Sequence, residues 1–319
     1  MSKLLVSHLD LDGFGCIILA LKFNDILNFD SFESADYGFE KEEENKNFML
    51  GFDDIIITDL SISKDSYEEL FKGKVNISIL DHHANTSWVE SLPGSIWDTS
   101  RSGTKIFWEE YIKPKIGRYS SIIEEFVERV DTYDLWKTDS PLWEEAKNLN
   151  NILYSMKNWG TSNNLQSSYP FINFMLTKLE KLENWRWTDR ETSIIEKSNK
   201  REASMLSKAQ STLIKRKDTR GNIFGVFSLP SKISLVASEI LKENEDLDYL
   251  VVVNAYRGIN GKLSIRSNKG FNCTELKVAD GHEAAAGANI GEDNALEFLN
   301  NDNISLVYND ERPEIWYKH

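Results

Sequence analysis

The spacing of apolar and polar positions changes period several times in the first hundred residues. Residues 3–8 form a short apolar run that ends in polar side chains, and Gly13 precedes a run of helical period over 14–23. The β-branched run Ile55-Ile56-Ile57-Thr58 ends in Asp59, and a helical pattern fits 63–72. Then Val75-Asn76-Ile77-Ser78-Ile79-Leu80 ends in Asp81-His82-His83. Strand, helix, strand, helix, strand predicts a parallel sheet with flanking helices and right-handed crossovers. The acidic, Asn-rich stretch 39–47 reads as a surface segment between strands.

From about 102 to 217 the pattern is helical, with apolar positions at helical spacing over 104–112 and 120–130. The charged, apolar-poor run 188–217 suits an exposed connecting helix. After Gly221, strand character returns over 223–229, 249–256 and 262–267, with a helical stretch at 231–243. The pattern predicts an α/β chain of two domains, 1–190 and a smaller 221–319, joined by a helical linker over 191–220. A length of 319 residues accommodates both.

Composition narrows the class. Two cysteines, Cys16 and Cys273, are too few for a disulfide framework and too scattered for a zinc site. Cys16 falls in an apolar helical run and reads as a small buried hydrophobe. The opening residues hold no apolar run long enough for a signal peptide or membrane span, so a soluble, cytoplasmic protein is expected. With 37 basic against 51 acidic residues the formal charge is −14, which argues against stable duplex-DNA binding but not against a short phosphate ligand held locally. The nine tryptophans read as core or interface residues rather than base-stacking platforms. Lys215-Arg216-Lys217 reads as a solvated helix end, and 42–44 as a solvated loop.

Four of the five histidines lie in compact motifs. In Ser7-His8-Leu9-Asp10-Leu11-Asp12-Gly13, an extended backbone turns His8, Asp10 and Asp12 to one side. An imidazole with two carboxylates suits a hard cation such as Mn²⁺ or Mg²⁺, and Gly13 lets the chain turn closely past them; the same residues equally read as an Asp-rich turn with a capping Asp before the next helix. Asp59 and Asp81-His82-His83 end two further strands, at the sheet edge where ligands of parallel sheets gather. A fourth cluster, Arg129-Val130-Asp131-Thr132-Tyr133-Asp134, ends a helix. Either aspartate can reach back, and Asp131, which directly follows the apolar face, is preferred.

In that order, these motifs resemble the DHH phosphoesterase superfamily. Ile265-Arg266-Ser267 and Asp280-Gly281-His282-Glu283-Ala284-Ala285-Ala286-Gly287 resemble its associated substrate-binding domain. Within the superfamily the pattern looks most like the bacterial oligoribonucleases called nanoRNases, type B. RecJ-type exonucleases and family II pyrophosphatases share the metal core.

The resemblance implies two Mn²⁺ ions, with Mg²⁺ as the alternative. It implies that His8 and Asp10 bind one, that Asp12, His82 and Asp131 bind the other, and that Asp59 bridges them. It further implies that Asp81 orients a histidine ligand, that His83 faces the substrate phosphate or supports the site, and that Arg266 and His282 grip a terminal phosphate beside Gly281. Ser102, Gly103 and Thr104 are expected to add to the phosphate pocket. The family carries glycines directly before the histidine of its second motif, whereas Val278-Ala279-Asp280 stand here.

The expected activity is hydrolysis of short single-stranded oligonucleotides, chiefly RNA, to mononucleotides by two-metal activation of water. The expected partners are thus oligonucleotides or dinucleotides, and a homodimer is compatible with the sequence. The alternatives are linear or cyclic dinucleotide signals, adenosine 3′,5′-bisphosphate, and a module that sequesters nucleotides without turnover.

Overall fold

The computed structural model describes the chain apart from residues 158–163, 255–260, 268–269, 278–279, 302–303, 311–316 and 319, and gives backbone only for 164, 280–282, 292, 305, 317 and 318. These residues divide into two compact units, 1–195 and 196–319.

Strands β1 (Lys3–Ser7), β2 (Ser31–Ser34), β3 (Asp54–Thr58), β4 (Asn76–Asp81) and β5 (Ile96–Trp97) form the first sheet in the order β2-β1-β3-β4-β5. Every neighbouring pair is parallel. Both faces are covered, as a parallel sheet requires. Leu5, Ile56 and Leu80 face a core layer built with Phe14, Phe107, Phe126 and Ile152. Leu4, Val6, Ile55, Ile57, Ile77 and Ile79 face the opposite layer with Phe39, Met49 and Phe71. This alternation is the strand period seen in the sequence. Two strands escaped the sequence reading: β2 is short and carries only Phe32 as a large apolar residue, and β5 is two residues long. The stretch expected to be surface contains buried Phe39 and Glu40, and a helix begins within it at Glu43–Met49.

The register pairs Ser7 with Thr58 and Thr58 with Leu80. His8, Asp59 and Asp81 therefore leave adjacent strands at one edge. Helices Leu11–Lys22 and Ser121–Asp134 pack against each other beside that edge.

In the second unit, β6 (Ile214–Lys217), β7 (Ile223–Ser228), β8 (Tyr249–Asn254), β9 (Lys262–Ser267), β10 (Asp280–His282) and β11 (Ala285–Asn289) follow the order β10-β11-β9-β8-β7-β6. Only β7 and β8 pair in parallel. Helix Ile233–Glu243 packs Val236, Ala237 and Ile240 on one face, and helix Glu292–Asn300 packs Ala295 and Phe298 on the other.

The connecting helix runs from Asp189 to Thr212 and spans the division between the units. Residues 214–217 are then a strand and not a solvated helix end. Arg216 is buried, and its Nη1 and Nη2 donate to the carbonyls of Phe298 (2.6 Å) and Leu299 (3.0 Å), at the carbonyl end of helix Glu292–Asn300. Among the described residues no helix is long and apolar enough to cross a membrane.

Candidate metal centre

His8, Asp10 and Asp59 offer one set of ligand atoms within 4.8 Å of one another, Asp12, His82 and Asp134 offer a second, and Asp59, Asp81, His82 and His83 form a third group that overlaps both. His8 Nδ1 lies 3.0 Å from Asp10 Oδ2 and 3.8 Å from Asp59 Oδ2. His82 Nε2 lies 3.1 Å from Asp59 Oδ1, 3.3 Å from Asp134 Oδ2 and 3.8 Å from Asp12 Oδ2. Asp59 thus turns one carboxylate oxygen to each set.

Local geometry follows from the turns after the strands. Asp10 caps helix Leu11–Lys22, its Oδ1 accepting from the amides of Asp12 and Gly13 at 3.1 Å each. A Cβ on Gly13 would lie 2.2 Å from the His8 carbonyl oxygen, so only glycine permits this turn. Asp59 has φ +53°, a left-handed conformation that is strained for a non-glycine residue. Gly103 lies against it, since a Cβ there would stand 2.5 Å from Asp59 Cβ.

The expectations for the supporting residues divide. Asp81 Oδ1 accepts from the His82 amide at 2.8 Å and lies 2.7 Å from His83 Nδ1, so the imidazole it orients is that of His83 and not that of the expected ligand His82. Of the two candidate aspartates, Asp134 and not Asp131 reaches the cluster. Asp131 Oδ1 accepts from the Ser102 amide at 2.9 Å, and its Oδ2 accepts from Lys137 Nζ at 2.5 Å.

Ser102, Gly103 and Thr104 also depart from expectation. Gly103 N and Thr104 N donate to the two oxygens of Asp12 at 2.6 and 2.8 Å, and Thr104 Oγ1 donates to the Asp12 carbonyl. Ser102 and Thr104 are fully buried, so they hold Asp131 and Asp12 and do not face a phosphate.

Tyr37 and Asp36 were not anticipated. Tyr37 Oη lies 2.8 Å from His83 Nε2, and Asp36 Oδ1 lies 3.8 Å from His8 Nε2. Neither occupies a motif, and a lone Tyr after a short edge strand carries no sequence signal.

Electrostatically the cluster is overloaded with carboxylates. Burial, together with Asp12, Asp10 and Asp134, pushes the Asp59 carboxyl well above its usual range. Burial with Asp12, Asp10 and Asp131 does the same to Asp134. Burial lowers His82. It also works against charge on His8, yet Asp10 outweighs it and lifts that imidazole to about 10.

Asp59 Oδ2, Asp134 Oδ2 and His8 Nδ1 are buried with no aligned hydrogen-bond partner among the described residues. Orphaned oxygen and nitrogen atoms amid excess buried negative charge fit divalent cations of the Mg²⁺ or Mn²⁺ type.

In the second unit, Arg266 donates through Nη1 to the carbonyls of Ile265 (2.8 Å) and Ala286 (3.3 Å), and through Nη2 to Ser234 Oγ (3.1 Å). The register pairs Ala285 with both Arg266 and His282, which places the two expected phosphate contacts in one row across three strands. The His282 side chain lies outside those described, as do Val278 and Ala279, and Gly281 is placed by its backbone in β10.

A five-stranded parallel sheet carrying a carboxylate–imidazole centre, followed by a mixed second sheet, defines an α/β protein. Its fold is similar to that of DHH-domain proteins. The chain matches no protein-family model. It is 25% identical to a 3′,5′-cyclic-nucleotide phosphodiesterase of Helicobacter pylori, over 89% of this chain and 92% of that one. It is 22% identical to oligoribonuclease NrnB of Bacillus subtilis, over 78% of this chain and 63% of that one. Among solved structures, exonuclease RecJ bound to manganese aligns with a TM-score of 0.53 at 16% identity, over 93% of this chain and 88% of that one. The DHH domain of a member of a ribosomal-protein family aligns at 0.52 and 14% identity, over 93% of this chain and 85% of that one. Both structural likenesses concern the fold.

Proposed function

We propose that this chain is a phosphodiesterase that hydrolyses short oligonucleotides, chiefly oligoribonucleotides, to mononucleotides with two Mn²⁺ ions. The observation that carries the reading is the position of Asp59, with Oδ2 toward His8 and Asp10 and Oδ1 toward His82, Asp12 and Asp134. His8 and Asp10 would hold one cation, Asp12, His82 and Asp134 the other, and Asp59 both. When bound, such a pair supplies a water that ionises near neutral pH and neutralises phosphate oxygens.

The chain's own residues do the rest. Gly103 and Thr104 amides fix Asp12. Asp81 holds His83 at the sheet edge, where the imidazole would support the site beside the substrate phosphate. Arg266 and His282 would bind the terminal phosphate, Arg266 by exchanging its present carbonyl contacts for charge-assisted ones. The Bacillus oligoribonuclease and the manganese-bound RecJ structure support the substrate class and the ion.

A second reading takes a 3′,5′-cyclic nucleotide as substrate, favoured by the Helicobacter relative, which aligns over nearly its whole length. Full-length protein loaded with Mn²⁺ is incubated with 5′-labelled RNA of two to five nucleotides, 3′,5′-cyclic nucleotides, cyclic dinucleotides and adenosine 3′,5′-bisphosphate, beside Asp59→Ala. Conversion of the short RNA to mononucleotides by the wild type alone is the expected result. Intact RNA with an opened cyclic nucleotide transfers the assignment to the second reading, and no conversion of any member overturns both.

A further inference from the structure

We propose that Tyr37 is a positioning residue that acts through His83, a role that rests on the phosphodiesterase reading above. Asp81, as a carboxylate, only accepts, so the 2.7 Å contact from its Oδ1 to His83 Nδ1 requires the proton on Nδ1. The lone pair then lies on Nε2, and the Tyr37 hydroxyl 2.8 Å away donates to it. The imidazole is thereby held from both nitrogens, which fixes its tautomer and its rotation about the side chain.

The ring of Tyr37 adds a second restraint. It meets His83 edge-on, with centroids 5.7 Å apart and planes at 89°, and lies tilted against His8 at 5.1 Å. Tyr37 precedes Gly38, whose φ of +79° turns the chain sharply away from β2. That turn leaves Tyr37 53% exposed, on the wall of a cavity of about 740 Å³ that Glu33, Asp36 and Phe48 also line. One side of the tyrosine therefore faces open space and the other the His83 imidazole. An imidazole set in place before the substrate arrives removes the cost of orienting it in the transition state.

The test is a double-mutant cycle on full-length, Mn²⁺-loaded protein, joined to a measurement that needs no substrate. Tyr37→Phe keeps the ring and removes the donor. It is expected to lower kcat on short RNA about tenfold, the lower end for lost outer-sphere partners, with KM and Mn²⁺ affinity within about twofold. On a His83→Gln background the same substitution is expected to change nothing further. An equal loss on both backgrounds, or a loss confined to KM, overturns the proposal.

In Mg²⁺-loaded protein, ¹⁵N shifts of His83 are expected to report Nδ1–H in both proteins, with the unprotonated Nε2 shifted by the Tyr37 hydrogen bond in the wild type and released from it in Tyr37→Phe. An Nε2–H wild type, or an Nε2 shift unaffected by the substitution, also overturns it. These shifts do not depend on turnover, so failure of the substrate assignment is distinguishable from failure of the Tyr37 role.

Discussion

The amide of Gly103 donates to Asp12 Oδ2 at 2.6 Å across 91 residues of sequence. That contact joins the first turn of the helix after β5 to the first motif of the chain. The same glycine allows Asp59 its left-handed backbone, because any side chain at 103 would enter the space of Asp59 Cβ. One backbone position thus sets two carboxylates, one within a single donor set and one shared between both.

Gly103→Ala should disturb the centre without removing a ligand. The expected outcome is a loss of Mn²⁺ affinity of about 10–100-fold, the usual range for outer-sphere partners, with matching loss of turnover. Calorimetric titration with Mn²⁺ checks it, and a variant that binds as the wild type does would show that Asp59 relaxes without consequence.

Asp134 and Asp131 lie on one helical turn and should behave differently. Asp134→Asn removes a carboxylate charge 3.3 Å from His82 Nε2, so on the two-metal proposal Mn²⁺ affinity should fall while the metal-free protein becomes no less stable. Asp131→Asn weakens the ties to Lys137 and the Ser102 amide. It should cost about 1–3 kcal/mol of stability, as for a disrupted buried charged hydrogen bond, with a smaller effect on Mn²⁺. Chemical denaturation and metal titration of both variants separate the two roles.

Much of this centre was legible in the sequence because strand ends and ligands coincide. His8, Asp59 and Asp81 each follow an apolar run, and parallel register brings such ends together. The choice between Asp131 and Asp134 was not legible. Both follow the same helix face, and what separates them is Lys137 and the Ser102 amide, partners fixed only by tertiary packing. Ser102, Gly103 and Thr104 were expected at the phosphate pocket on the family resemblance alone. The helix start does bind an anion, but it is the carboxylate of Asp12. Strand β6 was hidden because Lys215-Arg216-Lys217 has no apolar period, and the buried guanidinium of Arg216 is satisfied by carbonyls far along the chain.

The buried pair Lys178–Glu191 ties helix Asn164–Lys181 to the start of helix Asp189–Thr212, both side chains being at most 3% exposed. Lys178→Met should cost about 3–5 kcal/mol, because it leaves the Glu191 charge buried without its partner. The double variant Lys178→Met/Glu191→Leu should recover most of that loss. Urea midpoints of the single and double variants test this, and equal midpoints for the two would mean that Glu191 finds other donors.

The overloaded cluster should make metal-free stability fall, and the gain from metal grow, as pH rises. His8 is raised from 6.5 to about 10, so the folded chain keeps a proton there that the unfolded chain has released. Its stabilising contribution is full below pH 6.5 and is lost as pH climbs toward 10. Asp59 and Asp134, raised from 3.8, act in the same direction from that value upward. His82 is lowered, so it acts only below 6.5, where acid favours the unfolded chain. In EDTA the melting temperature should therefore fall steadily above pH 6.5. Cations need deprotonated ligands, so the rise in melting temperature on adding Mn²⁺ should grow over the same interval. Scanning calorimetry at matched pH values checks both trends. A Mn²⁺ increment that stayed constant with pH would mean that these carboxylates and imidazoles do not exchange their protons for the ion.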